Sequence, residues 1–295
     1  MELQEKLERI AREMPGTFGV AIKHLETGEE ASLFGDELFQ LASVFKIPIL
    51  ATLFRDVEEG RLSLGERVKL QADERVPGSG VLQELDPGAE VTIKDLAMLM
   101  IIVSDNYGTD QVLKHVGIER VNRFMNELGL VKTNIQHDCW RLLTICTGLD
   151  LPAPTAEGYE EYMRREDADQ FDEAHSILEP RPENNVSTPQ EINRLLEMIA
   201  KKQLISEAAC DGMLNILKRQ QFTSRIPNLL PGQARAAHKT GTIGSCVNDA
   251  GIVYMPQGKG AFAITVLSRD NESTNQGAQT IARLSRAAYD HFMES

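Results

Sequence analysis

The feature that most constrains the fold is where the hydrophobic period changes along the chain. Near both ends, short apolar segments bounded by turn residues read as strands: 17–23 and 30–34 at the front, then 236–243, 248–254 and 261–267 at the back. Glu26-Thr27-Gly28-Glu29 and Gly258-Lys259-Gly260 supply the chain reversals of two hairpins. Between them the pattern is helical. The simplest arrangement joins the two terminal pieces into one sheet, with the helical stretch as an insertion. The expected fold class is therefore α/β (α+β): an antiparallel sheet flanked by helices, with an all-helical second domain. The expected boundaries are 1–46 plus 221–295 for the discontinuous sheet domain and 47–220 for the helical one.

Local signals refine this outline. Leu3, Leu7, Ile10 and Met14 form the stripe of an amphipathic helix over 2–14, ended by Pro15-Gly16. Thr92-Ile93-Lys94-Asp95 and Thr188-Pro189-Gln190-Glu191 each offer a hydroxyl N-cap with an acid at the third helical position. The helix over 96–103 is apolar on nearly every side and should be buried. Residues 61–90 read as a long connection rich in turn residues. The stretch 133–186 is the least regular, with short helices expected over 140–145 and 157–165. A closing helix is expected over 274–292.

Charge and composition narrow the function. The net charge is −13, with no basic stripe, which excludes nucleic acid and anionic membranes as main partners. No window approaches ~18 consecutive apolar residues, so no membrane-spanning helix is expected. Cys139, Cys146, Cys210 and Cys246 form no C-x-x-C pair, and the six histidines show no metal-ligand spacing. Neither a metal nor a cofactor is expected. Met1-Glu2-Leu3-Gln4-Glu5-Lys6 lacks the apolar core of a leader, so the sequence as written reads as cytoplasmic, or as periplasmic or secreted if a leader has been removed. The expected state is a monomer or weak oligomer acting on a small molecule.

Three stretches carry chemistry. In Ser43-Val44-Phe45-Lys46, a serine and a lysine three residues apart head an apolar run and share one helical face. A serine hydroxyl is a weak nucleophile until a neighbouring base takes its proton, and a buried amine can serve. Ser104-Asp105-Asn106 follows the buried helix. There Ser104 can relay a proton, Asn106 can hold both Lys46 and a substrate carbonyl, and Asp105 braces the loop. His238-Lys239-Thr240-Gly241-Thr242 lies on a strand. Lys239 would bring a second cation, Thr240 and Thr242 would bind an anion, and Gly241 would let substrate approach the backbone. The N–H groups of Ser43 and Thr242 would form an oxyanion hole.

Together, and in this order, the three stretches resemble the signatures of the penicillin-recognising serine hydrolases, with the Ser-Asp-Asn form pointing to the class A β-lactamase branch. The resemblance implies an acyl-enzyme on Ser43. Lys46 is then the base, Ser104 and Lys239 the proton shuttle to the leaving nitrogen, and Asn106, Thr240, Gly241 and Thr242 the substrate contacts. The implied substrate is a β-lactam. A cytoplasmic amidase, peptidase or esterase of the same fold and a non-turnover penicillin-binding sensor are the alternatives. The class A pattern also carries a glutamate, followed four residues on by an asparagine, that holds the deacylating water. That signature is missing. Counting back from Pro189 lands near Asp172, with Glu179 and Glu183 as other acids within reach of the role.

Overall fold

The computed structural model of the chain describes residues 2–170 and 176–294. Helix α1 (Leu3–Arg12) leads into β1 (Thr17–His24), β2 (Glu30–Leu33) and the two-residue β3 (Phe39–Gln40). A 3-10 turn, Ala42–Phe45, then carries the chain into α2 (Lys46–Glu58). The helical body follows: a short hairpin of β4 (Arg67–Lys69) and β5 (Glu90–Thr92), then α3 (Ile93–Ile102), α4 (Asn106–Val116), α5 (Ile118–Glu127), α6 (Cys139–Cys146) and α7 (Ala156–Asp167). After β6 (Val186–Ser187) come α8 (Pro189–Ala200), α9 (Glu207–Leu217), the strands β7 (Arg235–Ile243), β8 (Cys246–Tyr254) and β9 (Ala261–Arg269), and the closing α10 (Thr274–Glu294).

The five long strands form one antiparallel sheet in the order β2-β1-β9-β8-β7, so the two ends of the chain do share a sheet. Its seam is the β1–β9 pairing, from Thr17 opposite Arg269 to His24 opposite Phe262. One face is covered by α1 and α10, where Leu7, Phe18, Val20, Ile22, Val266, Ile281 and Leu284 make a fully buried cluster. The other face meets α8 and the helical body through a larger core that includes Phe39, Phe45, Leu96, Trp140, Leu196 and Leu217. Burying each such side chain contributes roughly 1.5–3 kcal/mol. Among the described residues no helix is long and apolar enough to cross a membrane.

The helix starts follow the local chemistry. Thr92 and Asp95 make a reciprocal capping box on α3. At α8, the Thr188 hydroxyl accepts from the Glu191 N–H at 3.1 Å, with Pro189 at the first helical position. Two features differ from the sequence reading. The connection over 61–90 contains the β4–β5 hairpin, whose three-residue strands are too short to show a period of two. The helix bearing Lys46 does not extend back through Ser43, because Ala42–Phe45 is a 3-10 turn. Residues i and i+3 of a 3-10 turn eclipse one another, so Ser43 and Lys46 still share a face.

Candidate active site

Ser43 is placed by backbone contacts drawn from distant parts of the chain. The Leu41 N–H donates to the Asn185 carbonyl at 2.9 Å, and Asn248 Nδ2 donates to the Gln40 carbonyl at 2.8 Å. Ala42 adopts φ +43°, a left-handed conformation that costs energy for a non-glycine residue. Edge strand β7 passes directly against this turn. A Cβ built on Gly241 would meet the Leu41 carbonyl oxygen at 2.9 Å, the Ser43 nitrogen at 2.9 Å and the Val44 nitrogen at 3.0 Å. All three are backbone atoms, which cannot swing aside. Gly241→Ala is therefore expected to push β7 off the Ser43 turn and, since displacements near 1 Å cost about 10²-fold, to lower acylation by about that factor, measured as adduct formation with a penicillin.

Lys46 is fully buried, and Nζ donates to the Ser104 carbonyl at 2.8 Å and to Asn106 Oδ1 at 2.9 Å. Its third contact is Ser104 Oγ at 3.1 Å. Lys239, also fully buried, lies 3.0 Å from the same Ser104 Oγ and donates to the Thr240 carbonyl at 2.6 Å. One hydroxyl thus bridges two amines. A neutral amine has two N–H donors and one lone pair, and Lys46 meets two acceptor-only oxygens plus one hydroxyl able to donate. Burial pushes Lys46 below an ordinary lysine, opposed by Cys139, Asp105 and Asp110. Lys239 is pushed well below, by burial first and the neighbouring Lys46 second.

Ser104 takes φ +56°, at the break between α3 and α4 that turns its side chain toward both amines. Asp105 braces that break as anticipated. Its carboxylate accepts from the N–H groups of Val81 at 2.6 Å, Leu82 at 2.9 Å and Gly108 at 2.8 Å. Asn106 Nδ2 donates to the Pro77 carbonyl at 3.0 Å, which fixes its amide orientation toward Lys46.

Of these groups Ser104 reaches a cleft of about 600 Å³, whose lining also includes Ser43, Thr240, Gly241 and Thr242. The lining also holds Arg225, which the sequence reading missed. Its side chain is buried, donates to the Gly241 carbonyl at 2.7 Å and reaches the Thr242 hydroxyl. Arg225 thus joins Thr240 and Thr242 at the end of the cleft best suited to a carboxylate. Arg269, at the end of β9, stacks over the Phe39 ring at 5.3 Å and pairs with Asp270 at 3.5 Å. His238 orients its strand by pairing with Asp249 at 2.9 Å, while Asp249 also accepts from the Ile226 N–H at 3.0 Å and so tethers the Arg225 segment.

Two of the three acids considered for water activation, Glu179 and Glu183, are not among the described residues that line this cleft. Glu179 pairs with Arg181 and is 46% exposed, Glu183 is exposed, and neither lines the cleft. Asp172 lies outside the described residues. Counting back from Pro189 assumes a loop of fixed length, and α7 together with the stretch after it makes this one longer. The acids that do act on Lys46 are Asp105, already engaged, and Asp110. Asp110 is buried in α4, accepts from the N–H groups of Cys139 at 2.8 Å and Trp140 at 2.9 Å, and so clamps the start of α6. Burial, reinforced by the nearby Asp138, pushes the Asp110 carboxyl up to about 8. Among the described residues no group of His, Cys, Asp and Glu is arranged to hold a metal.

The comparisons with known proteins agree with this geometry. A model of the Beta-lactamase enzyme family matches residues 2–292. The chain is 23% identical over 300 residues to β-lactamase VEB-1 of Pseudomonas aeruginosa, covering 98% of this chain and 89% of that protein. Among solved structures it resembles a β-lactamase from Sphaerobacter thermophilus, at 27% identity and a TM-score of 0.80, covering 99% of this chain and 97% of that one. It resembles PBP-A equally, at 27% identity and a TM-score of 0.80, covering 99% and 96%. The chain belongs to the Beta-lactamase enzyme family and is a serine β-lactamase-like hydrolase.

Proposed function

We propose that Ser43 is the nucleophile of an acyl-transfer reaction on a β-lactam, and that the resulting ester is released slowly. The observation that carries this reading is the Ser104 hydroxyl, which lines the same cleft as Ser43 and is bridged behind the cleft wall by the amines of Lys46 and Lys239, with Asn106 holding Lys46. Neutral Lys46 takes the Ser43 proton as Oγ attacks the lactam carbonyl carbon. The N–H groups of Ser43 and Thr242 receive the oxyanion; Ser43 stands in the first turn of a helical segment, where N–H groups lack intrahelical acceptors. As the C–N bond breaks, the nitrogen takes a proton from Ser104, which Lys46 or Lys239 restores. Asn106 holds the acyl side, and Arg225 with Thr240 and Thr242 holds the substrate carboxylate.

Slow release rests on the cleft lining, which among the described residues contains no carboxylate. A positioned general base contributes about 10²–10⁴ in rate, so a cleft without one prolongs the ester without preventing its formation. A variant of PBP-A, one of the proteins this chain resembles, has been solved as an acyl-enzyme complex with penicillin G. Mixing the protein with a chromogenic cephalosporin is expected to give a burst of about one equivalent followed by slow turnover. Rapid linear turnover with no burst would contradict slow release. A colour change that is complete well below one equivalent would contradict acylation of a single site.

A further inference from the structure

Phe222 is the one apolar side chain among the described residues that line the cleft, in a wall otherwise built of hydroxyls, amides and the Arg225 guanidinium. Its ring is 43% exposed. The segment that carries it is tied down on both sides. Buried Gln220 donates through Nε2 to the Ile101 carbonyl at 2.8 Å and accepts from the Phe222 N–H at 3.0 Å. The Gln221 N–H donates to the Ile102 carbonyl at 3.0 Å, and Arg225 anchors the other side on β7. The backbone that presents Phe222 to the cleft is therefore fixed, although an exposed phenyl gains nothing from water.

The tethers also say which half of a substrate the ring meets. They run to the last turn of α3, two and three residues before Ser104, and to Arg225. On the reading above, Ser104 serves the scissile nitrogen and Arg225 the carboxylate, both on the nitrogen side of the bond that breaks, which in a β-lactam stays tethered through the opened ring. We infer that Phe222 forms a specificity subsite for an apolar or aromatic substituent beside the carboxylate, on the nitrogen side of the scissile bond. The inference rests on the acylation reading and adds to it a preference by substrate class. Aromatic contact of this kind discriminates by about tenfold or more.

The test compares two cephalosporins with the same thienylacetyl side chain, nitrocefin with its aryl-vinyl group at ring C3 and the analogue with methyl there. The acylation rates of both are read by intact-protein mass in wild type, Phe222→Ala and Phe222→Trp. The ratio of the two rates is expected to fall about tenfold in Phe222→Ala and to be kept in Phe222→Trp. The ratio for two penicillins that differ only in their acyl side chain is expected to change less than twofold. A cephalosporin ratio unmoved by Phe222→Ala, or a penicillin ratio that moves as much, overturns the subsite while leaving acylation intact. Failure of the wild type to be acylated by any of the four overturns the acylation reading and this inference with it.

Discussion

Ser43→Ala is expected to fold as the wild type does and to take up no acyl group from any penicillin or cephalosporin. The expectation follows from the geometry. Lys46, Ser104, Asn106 and Lys239 surround the reaction but offer it amines, an amide and a hydroxyl already held between two amines. Once Ser43 is removed, the neighbouring hydroxyl of Ser104 cannot take its place without abandoning both lysines. The Ser43 side chain is half-buried at the cleft, so losing one oxygen should change stability by no more than about 0.5 kcal/mol. Loss of acylation in a protein with an unchanged melting temperature separates a chemical role from a structural one. Full retention of hydrolysis would remove the nucleophile assignment.

The second large effect is expected at Lys46. Lys46→Met keeps the length of the side chain and removes the amine, and acylation should fall by about 10²–10⁴. The pH dependence gives the sharper test. Burial lowers the Lys46 pKa below that of an ordinary lysine, so the free base appears at a lower pH than it would on an exposed side chain. Wild-type acylation should rise with pH, with its midpoint below the ordinary value of 10.5. The methionine variant should lose that rise. Lys239 titrates under the same pressure and stays in both proteins, so the difference between the two profiles belongs to Lys46.

The same shift acts on stability, and its sign is fixed. Between the lowered native pKa and 10.5 the unfolded chain binds more protons than the native one, so this lysine makes stability rise with pH across that window. Below the window the full cost of charging the buried amine is present. Lys46→Met removes that slope but leaves Asn106 Oδ1 and the Ser104 carbonyl without their donor, at a cost of about 1–3 kcal/mol for each group left unpaired. A pH–acylation profile that is identical in the two proteins would show that Lys46 is not the base.

What the sequence made legible was local. The capped starts of α3 and α8 depend on residues within one turn of each other, and a hydroxyl followed by an acid three positions later can be read without knowing the fold. The long strands were visible because each buries one or both faces over many residues. Ser43, Lys46, Ser104, Asn106 and Lys239 stood out because each motif compresses its chemistry into a few positions; the structure joins the last four by hydrogen bonds across separations of 58, 60 and 135 residues, and sets Ser43 in the same cleft lining as Ser104.

The rest required the tertiary fold. Arg225 sits in a connection with no period, and its carbonyl partner Gly241 comes from strand β7. Asp110 looks like any polar residue within a helix until the start of α6 docks on it and hands it two N–H donors. In the sequence Cys139 is one of four scattered cysteines; that it acts electrostatically on Lys46 depends on the same docking. The count along the chain pointed to Asp172, with Glu179 and Glu183 as neighbouring acids. Chain distance says little where a helix such as α7 stands in the segment, and neither Glu179, paired with Arg181, nor exposed Glu183 is among the described residues lining the cleft.

The most direct test is the intact mass of the protein followed in time after one addition of benzylpenicillin, with the modified peptide then located. The account predicts a mass increase of one penicillin per chain, carried on Ser43 and persisting long after acylation is complete. No adduct at any time, or an adduct on a residue other than Ser43, would contradict it.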